Sequence, residues 1–416
     1  MRKIFLTAIA LLSIASAQVF GMYGVASGDW IGFLTHGNQF RARMDQLGFT
    51  LGNDTIKGTF GFHNDGRGAW GSMLAASRNN TETTSDGSTV GQGFFYDFDP
   101  TISMGLAYTS SLISVGVGYN ATIGPRWTRY NGKMDAPKKV EAVVHTPVLV
   151  LNALDNAFRM AIPIQVVNLT EKFDTVGKGS VTAVSLDAQF RYYSGLEILP
   201  QVRLYLKYGT YGVDFKPESG DKIKEKFAES FGFDLRFYFG TMVEEVLVQP
   251  IVKLVYNGAL GKQHNNTKVT ALGALNDAAN VWGIASSEFL NPTGAALSSY
   301  GGQAVWEQGA WDLSLIPALG LTANSDIVSF YFEPAIGLKI TQSGSLTDKV
   351  KEVYGLTYSA YAEIYITPIK NLEWYFEADV SGDTAGVTYY STATTTVGSP
   401  INFAATTGIT WYLPAL

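Results

Sequence analysis

The sequence predicts an all-β protein, a transmembrane antiparallel β-barrel of about 16 strands, with 14 as the alternative count, and three observations predict it. The first is a repeated alternation. In "FGFDLRFYFG", Phe231, Phe233, Leu235, Phe237 and Phe239 fall on one side and Gly232, Asp234, Arg236 and Tyr238 on the other. Successive side chains of a strand point to opposite faces, so this is a strand with one apolar face. The second is that short and long connections alternate along the whole chain, as in barrels with tight periplasmic turns and longer external loops. The third is composition: charged residues are 16%, below the roughly 25% of globular chains, while Gly (44), Phe (24) and Tyr (22) are plentiful.

The N-terminus reads as an export signal. "MRK" is followed by an apolar run from Ile4 to Ile14 and a small-x-small site, Ala15-Ser16-Ala17, before Gln18. The run is shorter than the about 20 residues a helix needs to span a bilayer. Residues 1–17 are therefore expected to be removed after Ala17, leaving 18–416 as a single barrel domain. There are no cysteines, hence no disulfide framework or cysteine metal site. The formal charge of −6 offers no basic footprint for nucleic acid.

The strands follow in order. "FRMAIPIQV" sets Phe158, Met160, Ile162, Ile164 and Val166 against Arg159 and Gln165; "VSLDAQFRYY" sets Val184, Leu186, Ala188, Phe190 and Tyr192 against Asp187, Gln189 and Arg191. "PQVRLYLKY" and "LEWYFEADV" repeat the pattern. Each is close to the 9–11 residues of a tilted bilayer-crossing strand, whereas soluble strands are nearer five or six. Short turns are expected near Asn53, Ser110, Gly195, Met242, Ser325 and Ile369, with a medium one around Asn152. Long polar segments are expected at 64–100, 121–138, 168–180, 210–227, 258–309, 342–354 and 381–399. Fifteen strand segments can be named, the first from Phe40 to Leu51. An even count requires either a further strand near Trp30 to Leu34 or a different division of these fifteen. Four Pro-x-x-x-Leu patterns, at Pro200, Pro250, Pro317 and Pro334, suggest bulges, because proline cannot donate to a ladder.

If the apolar phase meets lipid, the other phase lines a pore. Its predicted pore-lining residues are Arg41, Arg43, Asp45, Lys57, Arg159, Asp187, Arg191, Arg203, Lys207, Asp234, Arg236, Lys253, Asp312, Glu333, Lys339, Glu363, Glu373, Glu377 and Asp379. Basic residues dominate up to Lys253 and acidic ones from Asp312, so closure sets a basic wall opposite an acidic one. The alternative is that these charges pair across neighbouring strands and fill the lumen. The 258–309 connection carries Leu272, Leu275, Ala279, Trp282 and Ile284 at rough helical spacing, which fits a pore constriction and a surface cap equally. No catalytic motif occurs, so neither an enzyme nor a cofactor or metal is expected. Four histidines are scattered at 36, 63, 145 and 264; polar lumen or loop positions are the ordinary reading.

"GNQFRARMDQLGFTLGNDTIKGTFGF" at 37–62, with the leader running into "VFGMYG", resembles the variable surface proteins of intestinal spirochaetes. The resemblance covers roughly the first sixty residues. It implies an outer-membrane surface antigen from a set of variants, seen by host antibodies or surfaces and inserted by the outer-membrane assembly machinery into outer-membrane lipid. The end, "TGITWYLPAL", departs from the usual terminal aromatic insertion signal. Two functions are expected to compete: a porin-like passive channel for small polar solutes, and an adhesin with a plugged barrel whose external loops bind the ligand. Homo-oligomerisation stays open.

Overall fold

The computed structural model describes residues 27–42, 46–64, 77–83, 89–96, 100–123, 139–172, 177–217, 222–243, 245–260, 309–342, 351–384 and 401–413. The predicted signal segment with Ala17, Arg43, Asp45, nearly all of the 258–309 connection and the last three residues lie outside them.

The chain enters through a short helix, α1 (Ser27–Gly32), and a 3-10 turn (Phe33–Thr35). The strands are β1 (Gln39–Ala42), β2 (Gln46–Gly52), β3 (Ile56–Asn64), β4 (Ser77–Thr83), β5 (Thr89–Tyr96), β6 (Pro100–Tyr108), β7 (Ile113–Ile123), β8 (Lys139–Ala153), β9 (Phe158–Lys172) and β10 (Gly177–Tyr193). Then come β11 (Gln201–Pro217), β12 (Ile223–Tyr238), β13 (Thr241–Val243), β14 (Val246–Ala259), β15 (Trp311–Asn324), β16 (Val328–Gln342), β17 (Val353–Ile369), β18 (Leu372–Asp383) and β19 (Asn402–Leu413). Each wall strand pairs antiparallel with its sequence neighbours, and β19 pairs back onto β1, Arg41 opposite Tyr412. The result is a closed 16-strand barrel. β4 and β5 form a separate hairpin in the connection between β3 and β6, and β13 continues the β12 side of the ladder.

Closure satisfies every edge, which lets a sheet sit in lipid. The outer face carries the apolar phase: Met104, Leu106, Val117, Leu338, Phe403 and Trp411 are all exposed. The opposite face carries Thr50, Thr59, Ser103, Asn120, Thr146, Gln165, Asp187, Gln189 and Arg191, all buried. Phe231 and Phe233 stand on the outside, the latter stacked on Tyr256 at 5.8 Å.

Three expectations need correction. The sixteenth strand is not at Trp30–Leu34, which is helical; it comes from the expected Phe40–Leu51 strand dividing into β1 and β2. Trp30, Ile31, Phe33 and Leu34 recur at helical rather than alternating spacing. Nor do the four prolines make bulges. Pro200 precedes β11, and at Pro250, Pro317 and Pro334 the register carries through unshifted. The shifts of the wall fall at Tyr211/Gly212 and Ile366/Ile369 instead.

Third, 168–180 and 210–227 are mostly strand rather than loop, because β9 to β12 run for 15–17 residues. At roughly 3.3 Å per residue and a tilt of about 45°, 17 residues rise about 40 Å, beyond the ~30 Å hydrocarbon core. Toward these far ends the outward apolar phase of Leu204, Leu206 and Tyr208 gives way to Thr210, Gly212, Asp214 and Lys216 while the ladder continues.

Candidate functional site

The site is built on the inner wall of β6 to β12. Strands β6 and β7 present Gly105, Gly116 and Gly118 inward, while β8 and β9 present Val148, Val150 and Ala161. This small, apolar floor receives the N-terminal helix: Trp30, Ile31, Phe33 and Leu34 are 0–4% exposed and form one cluster with Ala107, Val148, Val150 and Ala161. The glycines are required by the close approach. A Cβ on Gly118 would stand 2.1 Å from the Trp30 ring, and one on Gly105 would stand 2.8 Å from it. Trp30 and Phe33 meet edge-on at 5.8 Å.

Two basic side chains of the wall tie down the end of this segment. Lys57 Nζ donates to the carbonyls of Leu34 (2.9 Å) and His36 (2.6 Å). Arg159 donates to Thr35 Oγ1 at 3.3 Å and to the carbonyl of Asn156 at 3.2 Å. Burial, then the charges of Lys57, Arg159 and Arg41, push the His36 pKa down to about 4, so this ring is held neutral.

Beside this inner helix runs a line of basic side chains. Arg159 is the register partner of Arg191, Arg191 of Arg203, Arg203 of Arg236 and Arg236 of Lys253. Like charges directly opposite one another repel, so five in a row need compensation. Aromatic rings supply part of it: Arg159 lies over Tyr193 (4.9 Å), Arg203 over Tyr238 (4.6 Å) and Arg236 over Tyr205 (5.0 Å). Carboxylates supply the rest at one end. Arg236 pairs with Asp234 at 2.6 Å, and Lys253 reaches over β15 to Glu333. Among the described residues, no ion pair is formed by Arg159, Arg191 or Arg203.

The wall from β16 to β18 is acidic. Glu363 stands opposite Glu377, and Asp379 opposite Tyr361. Tyrosine hydroxyls cover these carboxylates: Tyr331 donates to Glu333, Tyr361 to Glu363, Tyr365 to Glu377 (3.3 Å) and Tyr412 to Glu373 (3.1 Å). Lys339 pairs with Asp383 at 2.6 Å, and Asn257 donates to Asp312 at 3.4 Å.

The predicted residues thus distribute as follows. Arg41, Lys57, Arg159, Asp187, Arg191, Arg203, Lys207, Asp234, Arg236, Lys253, Asp312, Glu333, Lys339, Glu363, Glu373, Glu377 and Asp379 fall on the inward phase by register. Arg43 and Asp45 lie outside the described residues. Sequence reasoning missed the inner helix and its glycine floor. One signal was there: "VLVL" at 148–151 is apolar on both phases, so β8 has something apolar inside as well as outside. His145 is on the outer face, hydrogen-bonded to Tyr119. No group of metal ligands occurs among the described residues.

Comparison with known families matches the Serpulina hyodysenteriae variable surface protein over residues 2–412. The chain belongs to this family. The membership and the barrel together place this variable surface protein in the outer membrane. No helix among the described residues is long and apolar enough to cross a membrane, and the barrel crosses with strands. No curated protein matches. Among solved structures, the copper transporter OprC is similar with a TM-score of 0.39 at 10% identity over 90% of this chain. The ferric yersiniabactin uptake receptor FyuA from Yersinia pestis is similar with a TM-score of 0.41 at 7% identity over 89%. The chain spans 65% of the length of each of these.

Proposed function

We propose that this variable surface protein is a surface antigen whose barrel also passes small polar solutes by diffusion through a lumen narrowed by the N-terminal helix. The observation that carries the reading is the charged inner face, with Arg159 to Lys253 in one row and Glu363 and Glu377 on the other side of the wall. A field across the lumen orients water and polar solutes and disfavours apolar ones, and barrels of this strand number ordinarily enclose water. The loops opposite the short turns face the outside in this reading, where host antibodies reach them. Insertion depends on the outer-membrane assembly machinery after an export signal is removed at Ala17, and no catalytic step is involved.

A second reading, an adhesin with a closed barrel, is favoured by the inner helix itself and by the ion pairs Lys253–Glu333 and Lys339–Asp383. Purified protein in a planar lipid bilayer separates the two. Stepwise conductance with weak selectivity between small ions is expected of a mixed-charge pore. Absence of steps from protein whose band still shifts on boiling would end the channel reading and leave the surface antigen.

A further inference from the structure

We infer that Arg191 and Arg203, flanked by Arg159, form a binding site on the inner wall for a small multivalent anion, of the phosphate or dicarboxylate class. The inference rests on the water-filled lumen of the preceding section, though not on conduction.

The geometry points to an anion in three ways. First, the arginines are direct cross-strand partners on three neighbouring strands. Facing positions are about 5 Å apart, so two guanidiniums address two charges of one small solute, and their planar forks suit carboxylate and phosphate oxygens. Second, the Arg191 side chain has no carboxylate. The residue is 8% exposed, its Nε is buried without a hydrogen-bond partner, and the neighbour that answers its charge is the Tyr193 hydroxyl. A buried guanidinium without a carboxylate is costly. Third, its neighbours are pre-positioned by contacts that leave donors over. Arg203 spends Nε on Gln201 Oε1 at 3.1 Å and its face on Tyr238, while Arg159 is anchored to Thr35 and Asn156.

Further along the row the same chemistry is already satisfied, Arg236 by Asp234 and Lys253 by Glu333. The contrast marks the three arginines, rather than the whole basic wall, as the site. It also lies one or two residues inside the short-turn ends of β9, β10 and β11, next to the inner helix, so an anion held there would share the narrowed part of the lumen.

The test uses the full chain in detergent, with inorganic pyrophosphate titrated calorimetrically at constant ionic strength and chloride as the monovalent comparison. Saturable pyrophosphate binding is expected, weakened about tenfold or more in R191Q and in R203Q, and retained in part in R191K. K370Q, at an exposed turn, should bind as the parent does. Band shift on boiling checks that each variant is folded; if R191Q fails, R203Q carries the comparison. Equal binding by parent and R191Q/R203Q, or no binding by the parent, overturns the site. Binding without bilayer conductance would remove the channel and keep the site. Conductance without binding would do the reverse.

Discussion

Replacing Gly118 with alanine tests whether the N-terminal helix is seated on the glycine floor. The added Cβ would lie 2.1, 2.3 and 2.7 Å from three atoms of the Trp30 ring. Carbon atoms rest at about 3.5–4.0 Å, so the ring must retreat by roughly 1.5 Å. It has little room, because it also fills the space above Gly105 and meets Phe33 edge-on. Overpacking of this kind costs about 1–3 kcal/mol, which lowers the ratio of docked to undocked helix about 5- to 150-fold. Acrylamide quenching reads the outcome, with a W30F background to subtract the other tryptophans. Trp30 should pass from shielded to quenchable in G118A, and open conductance should rise if the helix narrows a pore. G58A is the control, since the nearest atom to its Cβ would be a carbonyl oxygen at 3.9 Å. A folded G118A protein with Trp30 as shielded as in the parent would refute the packing argument.

Three further outcomes are expected. Leu235, between Leu204 and Leu254 on the outer face, should cost about 2–4 kcal/mol when changed to arginine if it sits at the bilayer midplane; urea-dependent folding into vesicles measures this, and a cost near zero would show that the face does not meet lipid. The turn after β8 holds Leu154, Asp155 and Asn156 at φ of 55°, 54° and 63°, a run of left-handed residues that disfavours side chains by about 1–2 kcal/mol each. Asp155→Gly should therefore raise stability by about 0.5–1 kcal/mol, with a lower unfolding midpoint the contrary result. His36, with its pKa lowered from 6.5 to about 4 in the docked state, takes up protons more readily when undocked. Docking is then fully present above about pH 6.5 and weakens as pH falls toward 4, visible as rising Trp30 quenching that H36Q should flatten.

The sequence made the wall legible wherever one face met lipid and the other met water. Phe231 to Tyr238 and Phe158 to Val166 were placed correctly because burial in lipid imposes a period of two. The signal failed where that contrast vanished. Residues 168–172 look like loop because Leu169 is their one apolar residue, and 210–217 because the apolar phase switches there from Leu204, Leu206 and Tyr208 to Tyr211, Val213 and Phe215; 148–151 gives no inward polar residue because Val148 and Val150 pack with Trp30 and Phe33. The charge census of the lumen was readable, but its arrangement was not. Arg159, Arg191, Arg203 and Arg236 are scattered over 78 positions and become a row only through the registers of three strand pairs. Register depends on turn lengths and on cross-strand packing, which no local window contains.

The extended walls of β10 and β11 have one more consequence. Seventeen consecutive register partners, Gly177 with Pro217 through Tyr193 with Gln201, continue without a slip. Inserting or deleting one residue there would turn all later side chains inside out. Between β10 and β11, exchanging one side chain for another is therefore far cheaper than changing length, and the one slip in this wall lies on the other side of β11, against β12 at Tyr211/Gly212. This raised parapet acts as a frame, offering a surface whose lettering is more easily rewritten than its lines are moved.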